Sequence, residues 1–385
     1  MTLTADRTET ALAGRLDAVI DRALAAKRIA GAVILVAEHG APVYGRAAGF
    51  LDREAARPMR LDAIFRFASL SKPLVAATAL ALIDKGKLRL TDTLADWLPD
   101  FRPKLANGSP ATITIRHLLT HTAGFAYPTA EPNDAYVAAG VSGGLAEPGL
   151  GMAENLRRLA GVPLYFAPGT AWRYGVNIDV LGAVIAKAHD GTLADAVRAL
   201  VTGPLAMPDT GFAVTDKTRL AVAYADDEPG LVPMRDPHMF TSGLGVGTRF
   251  SPSRIFDPAS FQSGGAGMAG SGPDFLRFLE ALRAGGAPIL KPAALEAAGT
   301  NQIGDLPRED KDAGWRFGYL SAVLADPAAA KAPQAKGTLQ WGGIYGHSWF
   351  IDRVAGLSVV ALTNTAVEGC LGVFPNEIRD AVYGR

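Results

Sequence analysis

The sequence has little cysteine: Cys370 is the single one in 385 residues. One thiol cannot form a disulfide within the chain, nor can it supply the several thiolates of a structural zinc site. The fold is therefore expected to depend on its hydrophobic core, for which 49% hydrophobic residues are ample. Cys370 itself is interpreted as a small apolar residue of the C-terminal part.

An excess of charge of either sign is also missing. The 38 Lys and Arg residues balance the 38 Asp and Glu residues, and there is no basic stripe, which disfavours nucleic acid and anionic membranes as partners. No apolar run approaches the roughly 20 residues that span a bilayer. Residues 1–10 lack the basic and apolar regions of a secretory signal. We therefore expect a cytoplasmic protein; the sequence carries no signal for its oligomeric state.

Two hydrolase signatures are absent. The chain has no G-x-S-x-G, the nucleophile elbow of α/β-hydrolases, and no H-E-x-x-H, the zinc-binding helix of many proteases. His117 and His121 lie four residues apart and would share a helix face, but no glutamate lies between them. We interpret both as structural histidines and expect neither a metal nor a cofactor.

The most informative feature that is present is the tetrapeptide Ser69-Leu70-Ser71-Lys72. Residues three apart on a helix share one face, with Cβ atoms roughly 5–6 Å apart, so Lys72 can reach the Ser69 hydroxyl and take up its proton. This arrangement indicates covalent acyl chemistry. The alternative interpretation is that Ser69 caps a surface helix and Lys72 is solvated.

The flanking residues support a position at the start of a helix. Residues 65–68 alternate like the end of a strand, and the Ala- and Leu-rich residues 73–84 predict an amphipathic helix that ends at Gly86. Pro73 is tolerated only near a helix start. Ser69 is therefore expected in or beside the first turn, where unpaired N–H groups stabilise a developing oxyanion.

Hydrophobic periodicity organises the chain into a sheet built from both ends and a helical middle. A helix is predicted at residues 11–27, and two strands of a hairpin at 32–38 and 43–48. The C-terminal part predicts strands at residues 315–325, 337–343, 347–353 and 357–364, then a helix at 375–383. The predicted fold class is α+β, with one antiparallel sheet flanked by N- and C-terminal helices and a mostly helical insertion.

The domain organisation follows from this pattern. An α/β domain with the antiparallel sheet is predicted to comprise residues 1–75, 196–225 and 272–385. A helical or lid domain is predicted to comprise residues 76–195 and 226–271, with the active site between the two. Residues 127–151 interrupt the helical part, and residues 225–273 show little periodicity. The latter segment is expected to be a long loop that either covers the active site or is irregular surface.

A serine nucleophile needs a base, and a lysine of ordinary pKa is protonated at neutral pH. Tyr174, which follows a turn at Pro168-Gly169, is the candidate for the second group. It would act as a phenolate if nearby cations lowered its pKa. Asp179 is interpreted as a helix cap or an ion-pair partner rather than as the acid of a triad.

Four ordered motifs resemble the serine β-lactamase and penicillin-binding-protein superfamily, in its class C-like branch, and particularly the family VIII carboxylesterases. The motif that resembles their nucleophile motif is FASLSKP at residues 67–73. The family's helical-domain signature is similar to IRHLLTHTAGF at residues 115–125. Its tyrosine motif is similar to FAPGTAWRY at 166–174, and the strand that borders its active site is similar to LQWGGIYGHSWF at 339–350. The resemblance spans nearly the whole chain and implies a β-lactamase-like fold.

The resemblance also implies roles for individual residues. Ser69 would be acylated, while Lys72 and Tyr174 would carry protons to the leaving group and later activate water. The backbone N–H groups of Ser69 and Ile344 would form the oxyanion hole. The expected substrate pocket comprises Tyr127, Val176, Trp341, Gly342, Gly343 and His347. A hydrogen-bonded histidine within the sheet is the alternative for His347, and a bulge in a core strand is the alternative for the two glycines.

Two positions depart from the β-lactamase pattern. Val176 stands where those enzymes have an asparagine that holds the amide side chain of the antibiotic, and Trp341 stands where a lysine binds its carboxylate. A desolvated carboxylate without a cationic partner is strongly disfavoured. We therefore expect a serine carboxylesterase acting on an uncharged, small-molecule ester of short to medium chain length. The alternatives are an acyltransferase, a weak β-lactamase or DD-peptidase-like activity, and a noncatalytic protein that binds an acyl ligand.

Overall fold

The structure, a computed structural model, describes residues 7–129, 134–227, 230–309 and 313–385. Part of the N-terminal segment in which no export signal is found, and parts of the segments 127–151 and 225–273, lie outside the described residues. Among those described, no helix has both the length and the apolar character needed to cross a membrane.

Helices and short strands alternate along the chain. The helices are α1 (Arg7–Ala25), α2 (Ser71–Asp84), α3 (Leu94–Trp97), α4 (Ile115–Leu119), α5 (Ala135–Ala138), α6 (Met152–Ala160), α7 (Asn177–His189), α8 (Leu193–Val197), α9 (Gly272–Arg283), α10 (Pro292–Ala298) and α11 (Phe374–Val382). The strands are β1 (Gly31–Glu38), β2 (Ala41–Asp52), β3 (Arg57–Pro58), β4 (Ile64–Arg66), β5 (Tyr224–Asp227), β6 (Gly230–Pro233), β7 (His238–Met239), β8 (Arg249–Phe250), β9 (Ala269–Ser271), β10 (Trp315–Phe317), β11 (Ala322–Leu324), β12 (Leu339–Gly343), β13 (His347–Asp352), β14 (Leu357–Thr363) and β15 (Thr365–Ala366).

Both ends of the chain build the central antiparallel sheet. Its eight strands lie in the order β10-β11-β12-β13-β14-β1-β2-β3. The N-terminal strand β1 pairs with the C-terminal strand β14, with Ala32 opposite Thr363 and Val36 opposite Val359. The combination of helices with one antiparallel sheet made from both termini confirms the predicted α+β class.

Helices cover both faces of this sheet, and β1 is buried along nearly its whole length as a result. Because side chains alternate along a strand, Val33 of β1 joins the hydrophobic cluster that includes α9, whereas Ile34 joins the cluster of α1 and α11. In the second cluster, Leu16, Ile20 and Phe374 are fully buried. The terminal helices thus close one face of the sheet together.

Helix α2 is buried on all sides, so the prediction that it is amphipathic was wrong. Every residue from Ser71 to Leu82 is buried, and the helix contacts both α7 and α8. A helix enclosed all round needs an apolar or small surface on every face, which its Ala- and Leu-rich sequence provides. One consequence is that Lys72, in the first turn, lies in the protein interior.

Two segments differ from their predicted form. Residues 315–325 form two strands rather than one, because a turn closes between the Gly318 N–H and the Ser321 carbonyl at 2.9 Å. The described part of residues 225–273 contains five short strands, β5 to β9. Strand β9 pairs with β4, with Arg66 opposite Ala269, and so brings the turn at residues 263–268 beside the segment that carries Ser69. The predicted domain boundaries remain a prediction.

Candidate active site

Ser69 lies in a short 3-10 helix, Ala68–Leu70, directly before α2, and is partly exposed. Ala68 has φ of +46°, in the left-handed region that residues with a Cβ rarely adopt. The N–H of Phe67 donates to the carbonyl of Met268 at 2.8 Å, which ties this strained turn to the approach to β9. Ser69 is therefore presented at a helix start, where the first N–H groups have no partner within the helix.

The Lys72 amine has three polar contacts. Its Nζ lies 3.2 Å from the Ser69 hydroxyl, 2.8 Å from the Tyr127 hydroxyl and 2.7 Å from the carbonyl oxygen of Gly265. It also lies 4.6 Å from the centre of the Tyr174 ring. Burial disfavours the ammonium form and lowers the pKa of Lys72 to about 7, against a smaller opposing effect of the Asp179 carboxylate. A substantial fraction of Lys72 is therefore neutral at neutral pH.

The pKa of Tyr174 changes in the opposite direction. Burial raises the pKa of Tyr174, an effect only partly offset by hydrogen bonds with the Ser69 hydroxyl and the Trp341 indole. The phenol is therefore protonated at neutral pH, and the condition under which Tyr174 would act as a phenolate, a pKa lowered by nearby cations, is not met. Desolvation outweighs the hydrogen bonds that favour the phenolate, so the lysine is the better base of the two.

Tyr127 contacts the Lys72 amine and so lies closer to the reacting groups than the sequence indicated. It was expected only in the substrate pocket, but its hydroxyl lies beside the Lys72 amine, and its ring packs edge-on to Tyr174 at 5.5 Å between centres. Burial raises the pKa of Tyr127 well above the ordinary value, so its hydroxyl is neutral. The sequence signal was slight, because this tyrosine follows the motif at 115–125 without a motif of its own.

Strand β12 lies against the turn that carries Ser69. A Cβ added at Gly343 would collide with the carbonyl oxygen of Phe67 and come within 2.9 Å of the Leu70 side chain. Ile344 is the first residue after the strand. Gly343 thus lets the strand end lie against the Ser69 turn, whereas a Cβ at Gly342 would meet Cys370 and the His347 carbonyl. The N–H groups of Ser69 and Ile344 lie on the two segments that meet at Gly343.

Trp341 of the same strand is bonded to the tyrosine. Its indole N–H donates to the Tyr174 hydroxyl at 3.0 Å, and the two rings lie 5.1 Å apart. The side chain is partly exposed and also contacts Phe317. Trp341 therefore holds the phenol in position as well as forming an apolar wall, a contact that the sequence did not reveal.

Two of the expected pocket residues are not placed in an open pocket. His347 is 1% exposed; its Nε2 bonds to the backbone carbonyl of Arg66 at 2.8 Å and its ring packs edge-on to Phe65. Burial lowers the pKa of His347 to about 4, so it is a neutral, structural histidine, as the alternative interpretation held. Val176 is likewise 1% exposed and belongs to the main hydrophobic cluster.

The histidines of the motif at 115–125 have separate structural contacts. The Nδ1 of His117 accepts a hydrogen bond from the Thr114 N–H at 3.2 Å and so closes the N-terminal cap of α4. The Nδ1 of His121 lies 3.0 Å from the Asn177 amide nitrogen, and its ring contacts Tyr174 at 4.7 Å. Within the described ranges, no group of three His, Cys, Asp or Glu side chains could hold a metal ion.

Comparisons with known proteins agree with the resemblance drawn from the motifs. The chain is 52% identical to Esterase EstB of Burkholderia gladioli over 377 residues, which cover 97% of this chain and 96% of the relative. Among solved structures it is similar to "EstCE1, a hydrolase with promiscuous acyltransferase activity", with a TM-score of 0.94 and 42% identity, covering 98% of this chain and 100% of that one. Simvastatin Synthase (LovD) from Aspergillus terreus, in a LovD6 mutant, is similar in fold, with a TM-score of 0.76 and 21% identity over 100% of this chain and 99% of that one.

The family comparison covers most of the chain. The family described as Beta-lactamase matches residues 16–373, which include all four motifs and the described strands and helices around Ser69. The match and the EstCE1 likeness confirm the predicted β-lactamase-like fold. This chain belongs to the Beta-lactamase family.

Proposed function

We propose that this chain is a serine carboxylesterase that hydrolyses uncharged short- to medium-chain esters through an acyl-enzyme on Ser69. The observation that carries the proposal is the contact between the Lys72 amine and the Ser69 hydroxyl at 3.2 Å, in surroundings that lower the pKa of Lys72 to about 7. An amine that is half neutral at working pH can accept the serine proton, as a general base should. The 52% identity to a protein named an esterase supports the same activity.

The reaction follows from the protonation states. Neutral Lys72 accepts the Ser69 proton while the serine oxygen bonds to the acyl carbon, and the N–H groups of Ser69 and Ile344 stabilise the tetrahedral oxyanion. The bond to the alcohol oxygen then breaks, and Tyr174 gives its phenolic proton to that oxygen. Tyr174 regains a proton from the Lys72 ammonium. In the second half a water oxygen bonds to the acyl carbon, and the bond between that carbon and the Ser69 oxygen breaks. The water proton passes through the same groups to the Ser69 oxygen, and the acid is released.

The preference for uncharged esters rests on what surrounds Trp341. The residue presents a partly exposed apolar face, and Val176 is buried. The Arg308 guanidinium lies 5.7 Å from the Trp341 ring centre, but it is 5% exposed and also stacks on Trp172. It is therefore not open to a substrate carboxylate. A charged β-lactam would therefore lose its water shell without gaining an ionic partner among the described residues around Trp341.

Hydrolysis of p-nitrophenyl butyrate tests the proposal. We expect turnover by the wild-type protein and a loss of 1,000-fold or more, as an order of magnitude, in Ser69→Ala, because the nucleophile is removed. Ser321→Ala is the matched control, since Ser321 is a fully buried serine whose hydroxyl donates to the backbone carbonyl of Ala322. It should keep its activity. Absence of wild-type turnover would support the noncatalytic binding protein instead.

A chromogenic cephalosporin tests the substrate class. We expect its cleavage to be feeble beside that of the ester. A cephalosporin rate that rivals the ester rate would contradict the argument from Trp341 and Val176.

Acyl transfer is a second candidate, favoured by the similarity to EstCE1, which is described as a hydrolase with promiscuous acyltransferase activity. The chemistry is the same up to the acyl-enzyme, which an alcohol rather than water would then attack. Adding 1-propanol to the p-nitrophenyl butyrate assay should yield propyl butyrate in a Ser69-dependent manner if transfer competes with hydrolysis. Butyrate as the sole acyl product at high alcohol concentration would reject this candidate.

A further inference from the structure

Asp179 is a buried carboxylate whose contacts lead towards the Lys72 amine. It lies in the first turn of α7, with 2% of its surface exposed. Its Oδ1 accepts hydrogen bonds from the Ser263 hydroxyl and from the Gly265 N–H, the latter at 3.2 Å. Its Oδ2 is buried without a hydrogen-bond partner among the described residues. The side chain therefore neither caps α7 nor forms a close ion pair within the described part, contrary to its interpretation from sequence.

The contacts of Asp179 fix one tight turn, residues 263–266. The Ser263 hydroxyl oxygen that bonds Asp179 also accepts the Ala266 N–H at 3.0 Å. Gly265 lies so close to the carboxylate that an added Cβ would collide with Oδ2 and come within 3.2 Å of Cγ. The carbonyl of this same glycine accepts the shortest of the three bonds from Lys72, at 2.7 Å.

We propose that Asp179 is a positioning residue, which acts through the turn at residues 263–266 to hold the Gly265 carbonyl against the Lys72 amine, and whose negative charge stabilises the ammonium formed when Lys72 takes the serine proton. The inference rests on the proposed role of Lys72 as the base. Among the described contacts Asp179 has none with the Ser69 hydroxyl, so it acts only through Lys72.

Among the described groups around Lys72, Asp179 supplies the negative charge that compensates the ammonium. The phenols of Tyr127 and Tyr174 are neutral, because burial raises the pKa of each. His121 is neutral as well, since burial and the Lys72 charge lower its pKa. Burial raises the pKa of Asp179, whereas the Lys72 charge, the hydrogen bonds from Ser263 and Gly265 and the Arg254 guanidinium oppose that rise and favour the carboxylate. Loss of the Asp179 charge should therefore lower the pKa of Lys72 further.

The test is the pH profile of kcat/KM for Asp179→Asn, with p-nitrophenyl butyrate as the probe. The substitution keeps the size of the side chain and removes the charge. We expect the acid limb of this profile, the range in which kcat/KM rises with pH, to move to lower pH by about one unit. The reason is that a less basic Lys72 stays neutral in more acidic solution. The plateau of kcat should fall roughly 10- to 100-fold, since a weaker base transfers the proton less readily, while KM changes little.

Two further variants separate positioning from folding. Asp274→Asn is the matched control, because Asp274 is 1% exposed and also accepts bonds from a backbone N–H, that of Asp209, and from a hydroxyl, that of Thr210. Its remaining contact is an ion pair with Arg277 at 2.8 Å rather than one with Lys72. Its acid limb should stay at the wild-type position. Ser263→Ala keeps the charge and loosens the turn, so it should lower kcat by roughly 3- to 10-fold with an unmoved limb.

The outcomes distinguish this inference from the proposed function. An unmoved acid limb in Asp179→Asn, or wild-type kcat in Ser263→Ala, would overturn the role of Asp179 and leave the esterase proposal standing. If Asp179→Asn does not fold, the Ser263→Ala result decides alone. Activity in Ser69→Ala would overturn the proposed function itself.

Discussion

Lys72 illustrates how burial changes the chemistry of an ordinary side chain. A solvated lysine has a pKa of roughly 10.4 and is a poor base at neutral pH. In this protein the amine lies beneath the Tyr127 and Tyr174 rings, where desolvation of the ammonium lowers its pKa to about 7. Under the proposed function, the protein thus gains a base, although among the described residues neither a histidine nor a carboxylate bonds to the Ser69 hydroxyl.

The pKa of Lys72 sets a pH dependence. Neutral amine is the active form, so kcat/KM should rise with pH and level off above an inflection near 7. Lys72→Arg should lose roughly 100- to 10,000-fold, because a guanidinium does not deprotonate. Lys87→Arg, at an exposed position after α2, is the control and should behave as the wild type. The measurement is initial ester hydrolysis across the pH range; a flat profile from about pH 5.5 to 8.5 would contradict the role of Lys72.

The sequence could predict Ser69, Lys72 and Tyr174 together, because each lies in a recognisable motif, and the structure brings them together. It placed Tyr127 in the pocket but could not predict its bond to the Lys72 amine, nor the turn that carries Gly265. Lys72 meets Tyr127 and Gly265 across separations of 55 and 193 residues, which no local pattern records. The sequence left the protonation state of Tyr174 open for a related reason, since it depends on how completely the folded chain excludes water.

At the scale of elements, the site depends on the close contact between β12 and the turn that leads into the 3-10 helix before α2. The sequence located β12, β13 and β14 to within two residues at each end, because short apolar runs such as that of β14, which is buried throughout, mark strands with two covered faces. For α2 the predicted extent was right and the predicted amphipathic face was wrong, because its uniform Ala and Leu composition marks no polar face. From the sequence, Gly343 was expected in the substrate pocket. In the structure its close neighbour is the Phe67 backbone.

Gly343→Ala should therefore push β12 away from the Ser69 turn. We expect ester hydrolysis to fall roughly 10- to 100-fold as the oxyanion donors separate, with a loss of about 1–3 kcal/mol in the free energy of unfolding from overpacking. The control is Gly14→Ala in α1, where an added Cβ has nothing within 4 Å. That variant should gain about 0.5–1 kcal/mol. Urea denaturation and the ester assay measure both; full activity in Gly343→Ala would contradict the account of this contact.

On the scale of the whole molecule, the two chain ends hold each other in place. The pairing of β1 with β14 and the packing of α1 on α11 make residues near both termini part of one core. The sequence predicted this closure, because a helix and hairpin at one end and strands and a helix at the other require one sheet. It did not predict the short strands between residues 225 and 273, which are too brief to show periodicity.

Phe374 tests that closure. It is fully buried in the cluster of α1 and α11, so Phe374→Ala should cost about 3–5 kcal/mol in the free energy of unfolding through lost burial and a cavity. The neighbouring Val373 is 56% exposed, and Val373→Ala should change stability by less than about 0.5 kcal/mol. Urea midpoints compare the two; equal midpoints would show that the terminal helices are not joined through this residue.

The most direct test of the account is to find which residue is acylated. Active protein treated with a fluorophosphonate, digested and analysed by mass spectrometry should carry one covalent adduct, on the peptide and at the hydroxyl of Ser69. Labelling should require neutral Lys72 and so increase through pH 7. An adduct on another residue, or inactivation without modification of Ser69, would contradict the central claim.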